Sequence, residues 1–370
     1  MGKSLKELKA MAMVMIVVLQ LSSESWRVAE AQVRAMFVFG DSLVDNGNNN
    51  MLMSLAKSNY YPYGIDLRGS SHHRFSNGKN FVDYLGDFMG IASPPAFADP
   101  TTTGSRIVGG VNYASAGGGI LDETGRHYGQ RHSLSQQVIN FQSTMSQLRR
   151  MMSPNNFTQH MSRSIGILVF GSNDYINNYL LPLMYSSSYS YTPQTYANLL
   201  LNHYTRQIQA LYSLGLRKFY IAGIGPLGCT PSQLITVGSG RCVDNVNRIL
   251  GTYNEGLKHL VTMLNNGSHR GAMFVYGNTY RTTGDVLNSP ATYGFNVVNR
   301  SCCGIGMTRG VTNCLPFVPP CFNRNQYVFW DGFNPTQAMN AILARRAYSG
   351  TTSDSYPINI QQMVSFFNVV

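Results

Sequence analysis

What most limits the folds open to this chain is an alternation. Short apolar, β-rich runs and longer segments of helical period follow one another: AMFVF, SLSQQVINFQSTMSQL, IGILVF, TYANLLLNHYTRQIQALYSLG, KFYIAGI, VDNVNRILGTYNEGLKHLVTML and AMFVY. Strand and helix repeating in this order predict an α/β fold, a single doubly wound parallel sheet with helices on both faces. The 370 residues can bury a sizeable core, and 44% hydrophobic against 12% charged residues excludes a disordered chain. The Gly/Ser/Tyr-rich stretches 60–80 and 184–192 read as long loops.

The first 31 residues read as a signal peptide rather than part of the fold. Lys3, Lys6 and Lys9 precede the apolar run AMAMVMIVVLQL, and small residues follow at Ala29-Glu30-Ala31. Cleavage after Ala31 leaves a single domain, 32–370, starting at Gln32. The apolar run is well short of the roughly 20 residues a spanning helix needs, so no stable membrane insertion is expected. Removing residues 1–31 takes four basic and three acidic residues and lowers the net charge from +11 to +10. No basic run longer than a pair and no reader motif accompanies that charge, which argues against nucleic acid and suits an acidic extracellular matrix.

All six cysteines, Cys229, Cys242, Cys302, Cys303, Cys314 and Cys321, lie in the last part of the chain. An even count on a secreted chain points to disulfides, and the adjacent Cys302-Cys303 pair lacks zinc spacing, so no metal is expected. Cys229 and Cys242, about a dozen residues apart, are expected to pair; the other four should form two bridges of undetermined partnership. Sequons at Asn156, Asn266 and Asn299 fit the same secreted, extracellular setting.

In a doubly wound sheet the ligand sits outside the carboxyl ends of the strands, so the loops after the apolar runs are where chemistry belongs. Gly40-Asp41-Ser42-Leu43 follows AMFVF and exposes a serine hydroxyl at a strand end. The segment from Gly110 to Gly119 offers backbone N–H groups to an anion, but it lacks the Lys-Ser/Thr of a phosphate loop and the GxGxxG spacing. Gly171-Ser172-Asn173-Asp174 follows IGILVF and presents an amide that can donate to an oxyanion. Taken singly, the Gly40–Leu43 and Gly171–Asp174 segments also read as an ordinary turn or cap.

In this order the blocks FVFGDSLVDNGNNN, RFSNG, GVNYASAGGGIL, SLSQQVINF, FGSNDYINNY, GIGPLGCTP, SCCGIG and YVFWDGFNPT resemble the plant branch of the GDSL esterase/lipase family, the SGNH-type serine hydrolases. The GxSxG of the rival α/β-hydrolases is not found in a suitable place. The resemblance implies a carboxylic ester hydrolase that needs no cofactor and acts on a small or polymer-linked ester. Ser42 would be the nucleophile, and the Ser42 N–H, the Gly117 N–H and the Asn173 side chain would form the oxyanion hole. At Gly117 this chain has Ala116-Gly117 where the family usually shows Gly-Gly.

The family's last block normally reads Asp-x-x-His, with the carboxylate orienting the imidazole that deprotonates the serine. Here it reads Asp331-Gly-Phe-Asn334. An amide is not usefully basic, so Asn334 is expected to hydrogen-bond Ser42 without accepting its proton. By loop position His72, His73 and His127 are the best placed substitutes, though each also reads as a surface residue. Two functions follow: an ester hydrolase of weakened activity, or a catalytically inactive relative that keeps the pocket to bind an acyl or acetylated-sugar ligand.

Overall fold

A computed structural model describes residues 33–67, 73–238, 240–306 and 309–366. The expected leader therefore lies outside the described residues, as does His72. Strands β1 (Ala35–Gly40), β2 (Ser164–Val169), β3 (Lys218–Ala222) and β4 (Met273–Gly277) fall on the four apolar runs. They pair in the order β1-β2-β3-β4, all parallel, and a short antiparallel strand, Ser355–Tyr356, closes the β4 edge.

The other edge of β1 is covered as well. The N–H groups of Met36 and Val38 donate to the carbonyls of Gly109 and Val111, while those of Tyr113 and Ser115 donate to the carbonyls of Val38 and Gly40. Residues 109–115 thus run alongside β1 in a parallel ladder, and β1 has neighbours on both sides. The order reverses at β1, which makes the sheet doubly wound and puts its switch point at the end of β1, where Ser42 follows.

Side chains alternate between two cores, as strand geometry requires. Phe37, Phe39, Phe219, Ile221 and Phe274 pack on one face, under α2 (Leu134–Met151), α3 (Pro193–Ser213) and α4 (Asp244–Asn266). Met36, Val38, Ile165, Ile167 and Val275 pack on the other, under α1 (Phe81–Met89), α6 (Gln337–Ser349) and α7 (Ile360–Ser365). A further helix, α5 (Thr279–Asn288), follows β4. Within the stretch 184–192, read as loop, Ser187–Ser190 forms one helical turn.

Beyond the main sheet, β5 (Val297–Ser301) pairs in parallel with β6 (Tyr327–Phe329). Disulfides Cys302–Cys321 and Cys303–Cys314 tie the loop between these strands, and Cys229–Cys242 pairs as expected. All six thiols are thereby used. No helix among the described residues is long and apolar enough to cross a membrane.

Candidate active site

The end of β1 is held in a specific shape. Gln137, from α2, accepts from the Gly40 N–H (2.9 Å) and donates to the Gly40 carbonyl (2.8 Å), which satisfies both polar groups of the strand's last residue. A Cβ at Gly40 would lie 2.5 Å from Val44 Cγ2 and 2.8 Å from the Val169 carbonyl oxygen, so only glycine fits. The chain then turns: the Val44 and Asp45 N–H groups donate to the Asp41 carbonyl, and the Leu43 N–H donates to Asp41 Oδ1. Ser42 is left half-buried at the strand end.

The asparagine run after Ser42 joins this turn to the glycine-rich segment. Asn48 Nδ2 donates to the carbonyls of Asn112 and Ala114, and Asn49 Nδ2 to that of Ala116. Asp45 accepts from the N–H groups of Gly47, Asn48, Asn49 and Ala116. Gly117 then takes φ +77°, a left-handed conformation that glycine adopts without strain. From the Gly171–Asp174 segment, buried Asp174 accepts from the Ile120 and Leu121 N–H groups and the Thr124 hydroxyl. Three segments far apart in sequence are thus joined into one rigid rim by bonds to buried carboxylates and amides.

Burial governs the charge of those carboxylates. It raises the Asp41 pKa to about 7, and those of Asp45 and Asp174 to about 6, against backbone N–H donors that pull each one down.

Asn173 is buried in the same rim. Its Oδ1 accepts from Asn177 Nδ2 (2.6 Å), and its Nδ2 donates to the Gly118 carbonyl (3.0 Å). An amide nitrogen carries two hydrogens, so one remains for a ligand oxygen. Ser42, Gly117 and Asn173 all line one cavity, whose walls are otherwise mainly apolar: Leu43, Ile176, Leu227, Val328, Phe333 and Leu343 among them. It encloses about 930 Å³ when its open mouth is counted.

The Asp331–Asn334 block arrives from β6. The Trp330 N–H donates to the Asn334 carbonyl (2.8 Å) and the Thr336 N–H to that of Val328 (3.0 Å), closing a turn over residues 330–335. Asp331 Oδ1 caps that turn, accepting from the N–H groups of Phe333 (2.9 Å) and Asn334 (2.8 Å). Asn334 Nδ2 donates to both oxygens of Asp331, at 2.9 and 3.0 Å, and the Ser42 hydroxyl donates to Asn334 Oδ1 at 2.9 Å. The carboxylate accepts only, which fixes the amide's orientation. A continuous chain therefore runs from Ser42 through Asn334 to Asp331 across 292 positions of sequence. Desolvation raises the pKa of Asp331, with the Tyr63 hydroxyl and the turn's N–H groups opposing it.

Of the histidines named as substitutes, His73 bonds through Nδ1 to Asn50 Nδ2 (2.9 Å). His127 bonds through Nδ1 to the Tyr185 hydroxyl (2.9 Å) and lies 4.2 Å, ring to ring, from Tyr128. Tyr128 lines the cavity, but none of the described histidines does.

Sequence reasoning missed several supports. Tyr63 donates to Asp331 Oδ2 at 2.6 Å and accepts from the Cys314 N–H at 3.1 Å, so the 60s loop and the cystine loop meet on the carboxylate. Gln137 and Asp174 sit inside quoted blocks, where a buried polar residue beside a strand end was the available signal; Tyr63 lay in a stretch with no signal beyond its turn residues. The three sequon asparagines, Asn156, Asn266 and Asn299, are all exposed.

Residues 36–347 match the family model for GDSL-like lipase/acylhydrolase. The chain is similar to several GDSL esterase/lipases of Arabidopsis thaliana. One is 60% identical over 336 residues, 90% of each chain. A second is 51% identical over 338 residues, covering 90% of this chain and 88% of the relative. A third is 49% identical over 339 residues, covering 90% and 92%.

Proposed function

The chain belongs to the GDSL-like lipase/acylhydrolase family, and from that premise we propose a secreted ester hydrolase that uses Ser42 as nucleophile and works slowly because Asn334 stands where a base is needed. The ester carbonyl lies over Ser42, with its oxygen toward the N–H groups of Ser42 and Gly117 and the free Nδ2 hydrogen of Asn173. The apolar walls of the cavity hold the acyl or alkyl part of the substrate. The Ser42–Asn334–Asp331 chain carries this reading. It keeps the connectivity of a serine triad, so the hydroxyl is aimed and held, but its middle member is an amide with no useful basicity. Residual catalysis then comes from the oxyanion donors and from binding, on the order of 10³ to 10⁴ over water in serine hydrolases stripped of a triad member.

Secretion is part of the same reading, supported by three disulfides and three exposed sequons. The mature chain would start at Gln32 and carry glycan on at least one of Asn156, Asn266 and Asn299. A second reading has a specific observation behind it: the Ser42 hydroxyl is already donated to a poor base, as suits a pocket kept for binding an acyl or acetylated-sugar ligand. A fluorophosphonate probe separates the two. Covalent labelling at Ser42, absent in Ser42→Ala, is the expected result; an unlabelled wild type at high probe concentration favours the binding protein.

A further inference from the structure

At the opposite end of the sheet, where β2, β3 and β4 begin, lies a second concavity with different chemistry. It is an open cleft of about 1200 Å³, counting its mouth, lined by Arg149, Arg217 and Arg270 with Phe157 and Tyr212 between them, and no acidic residue lines it. Two of the guanidinium groups are fixed on a single turn. Arg149 Nη2 donates to the Leu214 carbonyl (3.2 Å), and its Cζ lies 4.7 Å from the centre of the Phe157 ring. Arg217 Nη1 donates to the carbonyls of Tyr212 and Leu216, both at 2.8 Å, and its Cζ lies 4.3 Å from the centre of the Tyr212 ring. The Tyr212 hydroxyl in turn donates to the Arg270 carbonyl (3.2 Å), which ties the third arginine's backbone to the same aromatic residue.

Among the described residues no carboxylate pairs with any of these three arginines, although other arginines of the chain, Arg74, Arg324 and Arg346, are each paired with an aspartate. Nearby charge has the same sign. Lys218 opens β3, its ammonium donates to the Ser162 carbonyl, and its pKa is pushed down by burial and then by the charge of Arg163. The bonds to the turn leave other N–H groups of each fork for a ligand, and a pre-set fork loses little entropy on binding a planar anion.

We propose that this cleft is a binding site for a carboxylate-bearing polysaccharide, which holds the protein on a polyanionic matrix while the Ser42 cavity stays open. The planar guanidinium matches a sugar carboxylate in two-point contact, and repeated carboxylates along one polymer can meet three cations in turn. The basic balance of the chain without residues 1–31, +11 less one or +10, adds long-range attraction. The choice of a polysaccharide over other polyanions rests on the secreted reading; the cleft itself depends on neither that reading nor ester hydrolysis. A strand of six residues spans about 20 Å, so polymer bound at one end of the sheet does not cover the other.

The test measures binding of the full secreted chain to polygalacturonate at low and high salt. Asn156→Gln serves as the common background, because Asn156 stands two residues from Thr158, which also lines the cleft, and a glycan there would screen it. The triple variant Arg149→Gln, Arg217→Gln, Arg270→Gln should bind at least about 10-fold more weakly, a few-fold for each exposed ion pair lost, with unchanged probe labelling at Ser42. Binding is assayed well below the melting transition, which loss of the bonds to the 212–216 turn lowers. A control triple, Arg248→Gln, Arg300→Gln, Arg345→Gln, removes the same charge elsewhere and should cost less than about 3-fold. Equal losses in the two triples would reduce the effect to net charge and overturn the site, as would a parent protein that does not bind. Arginine-dependent capture by phosphatidylserine vesicles in preference to the polymer would overturn the choice of ligand.

Discussion

The two halves of the candidate active site are built by different means. Ser42, Gly117 and Asn173 stand at the carboxyl end of a regular parallel sheet, and buried side chains such as Gln137, Asp45 and Asp174 pin each loop to the next. Asp331 and Asn334 stand on a turn outside that sheet, held by a short parallel pair, two disulfides and the Tyr63 hydroxyl. On the proposed reading the first half holds the nucleophile and the oxyanion donors. The second sets Asn334 2.9 Å from Ser42, where that reading calls for an imidazole. On the same reading the position of a base and its basicity have separate sources: the position the Asp331 turn and its anchors, the basicity the single residue 334.

If the halves are independent, damage to each should read out differently. The largest effect is expected in the sheet half. Gln137→Ala leaves the buried Gly40 N–H without a partner and removes the amide donor to the Gly40 and His132 carbonyls, which together costs about 2–4 kcal/mol and lowers the whole melting transition. The chain has two tryptophans, Trp26 and the buried Trp330 beside Asp331, so in a chain starting at Gln32, as proposed, tryptophan fluorescence reports the second half alone. Far-UV circular dichroism and Trp330 fluorescence should therefore shift together in Gln137→Ala.

A smaller and more local effect is expected in the other half. Cys303→Ser with Cys314→Ser opens a loop of 11-residue separation and costs about 2–3 kcal/mol. It frees the segment that carries the Cys314 N–H to Tyr63 and the Cys303 N–H to the Trp330 carbonyl. Fluorescence should then melt below the circular dichroism transition. Coincident transitions in this variant would mean that the two halves form one cooperative unit.

The smallest effect is electrostatic and is weighted toward the sheet half, which holds three of the four aspartates raised by burial among the described residues, Asp331 being the fourth. Asp41, Asp45 and Asp174, raised by burial to about 7, 6 and 6, all belong to the sheet half. Each binds its proton more tightly in the folded than in the unfolded chain, so folding is favoured at low pH and stability falls as pH rises from about 4 to about 7. A net surviving shift of one unit is worth about 1.4 kcal/mol. The Tm should then drop by about 2 °C or more across that window and level off above it. A Tm that rises through the same window would show that groups of opposite sign, His127, His132, His160 and His203 with their pKa lowered by burial, outweigh these carboxylates.

The two halves were also unequally legible in the sequence. The four strands and the helices of one face follow from apolar runs and helical period, and the loops after β1 and β2 follow from the sheet rule. Of the other face, α1 carries an apolar stripe, Phe81, Val82, Leu85 and Met89, but over only nine residues, and α6 buries just Met339, Asn340, Ala344 and Ala347, too sparse a stripe to stand out. Residues 109–115 read as a glycine loop because four alternate backbone bonds to β1, rather than a long apolar run, make them strand-like. The pairing of Cys302 with Cys321 and of Cys303 with Cys314, and the reach of Tyr63 to a carboxylate 268 residues away, depend on tertiary placement that local pattern does not encode.

The central claim is that the geometry of a base survives at residue 334 and only its basicity is missing. The most direct measurement is the ester hydrolysis rate of Asn334→His beside wild type, with Ser42→Ala added to the variant as control. An imidazole three residues after Asp331 inherits the partner that fixes its tautomer and steadies its charge, so hydrolysis should rise on the order of 10² or more and vanish with Ser42→Ala. A wild type that already hydrolyses esters efficiently, with no gain in Asn334→His, would contradict the account and place the working base elsewhere.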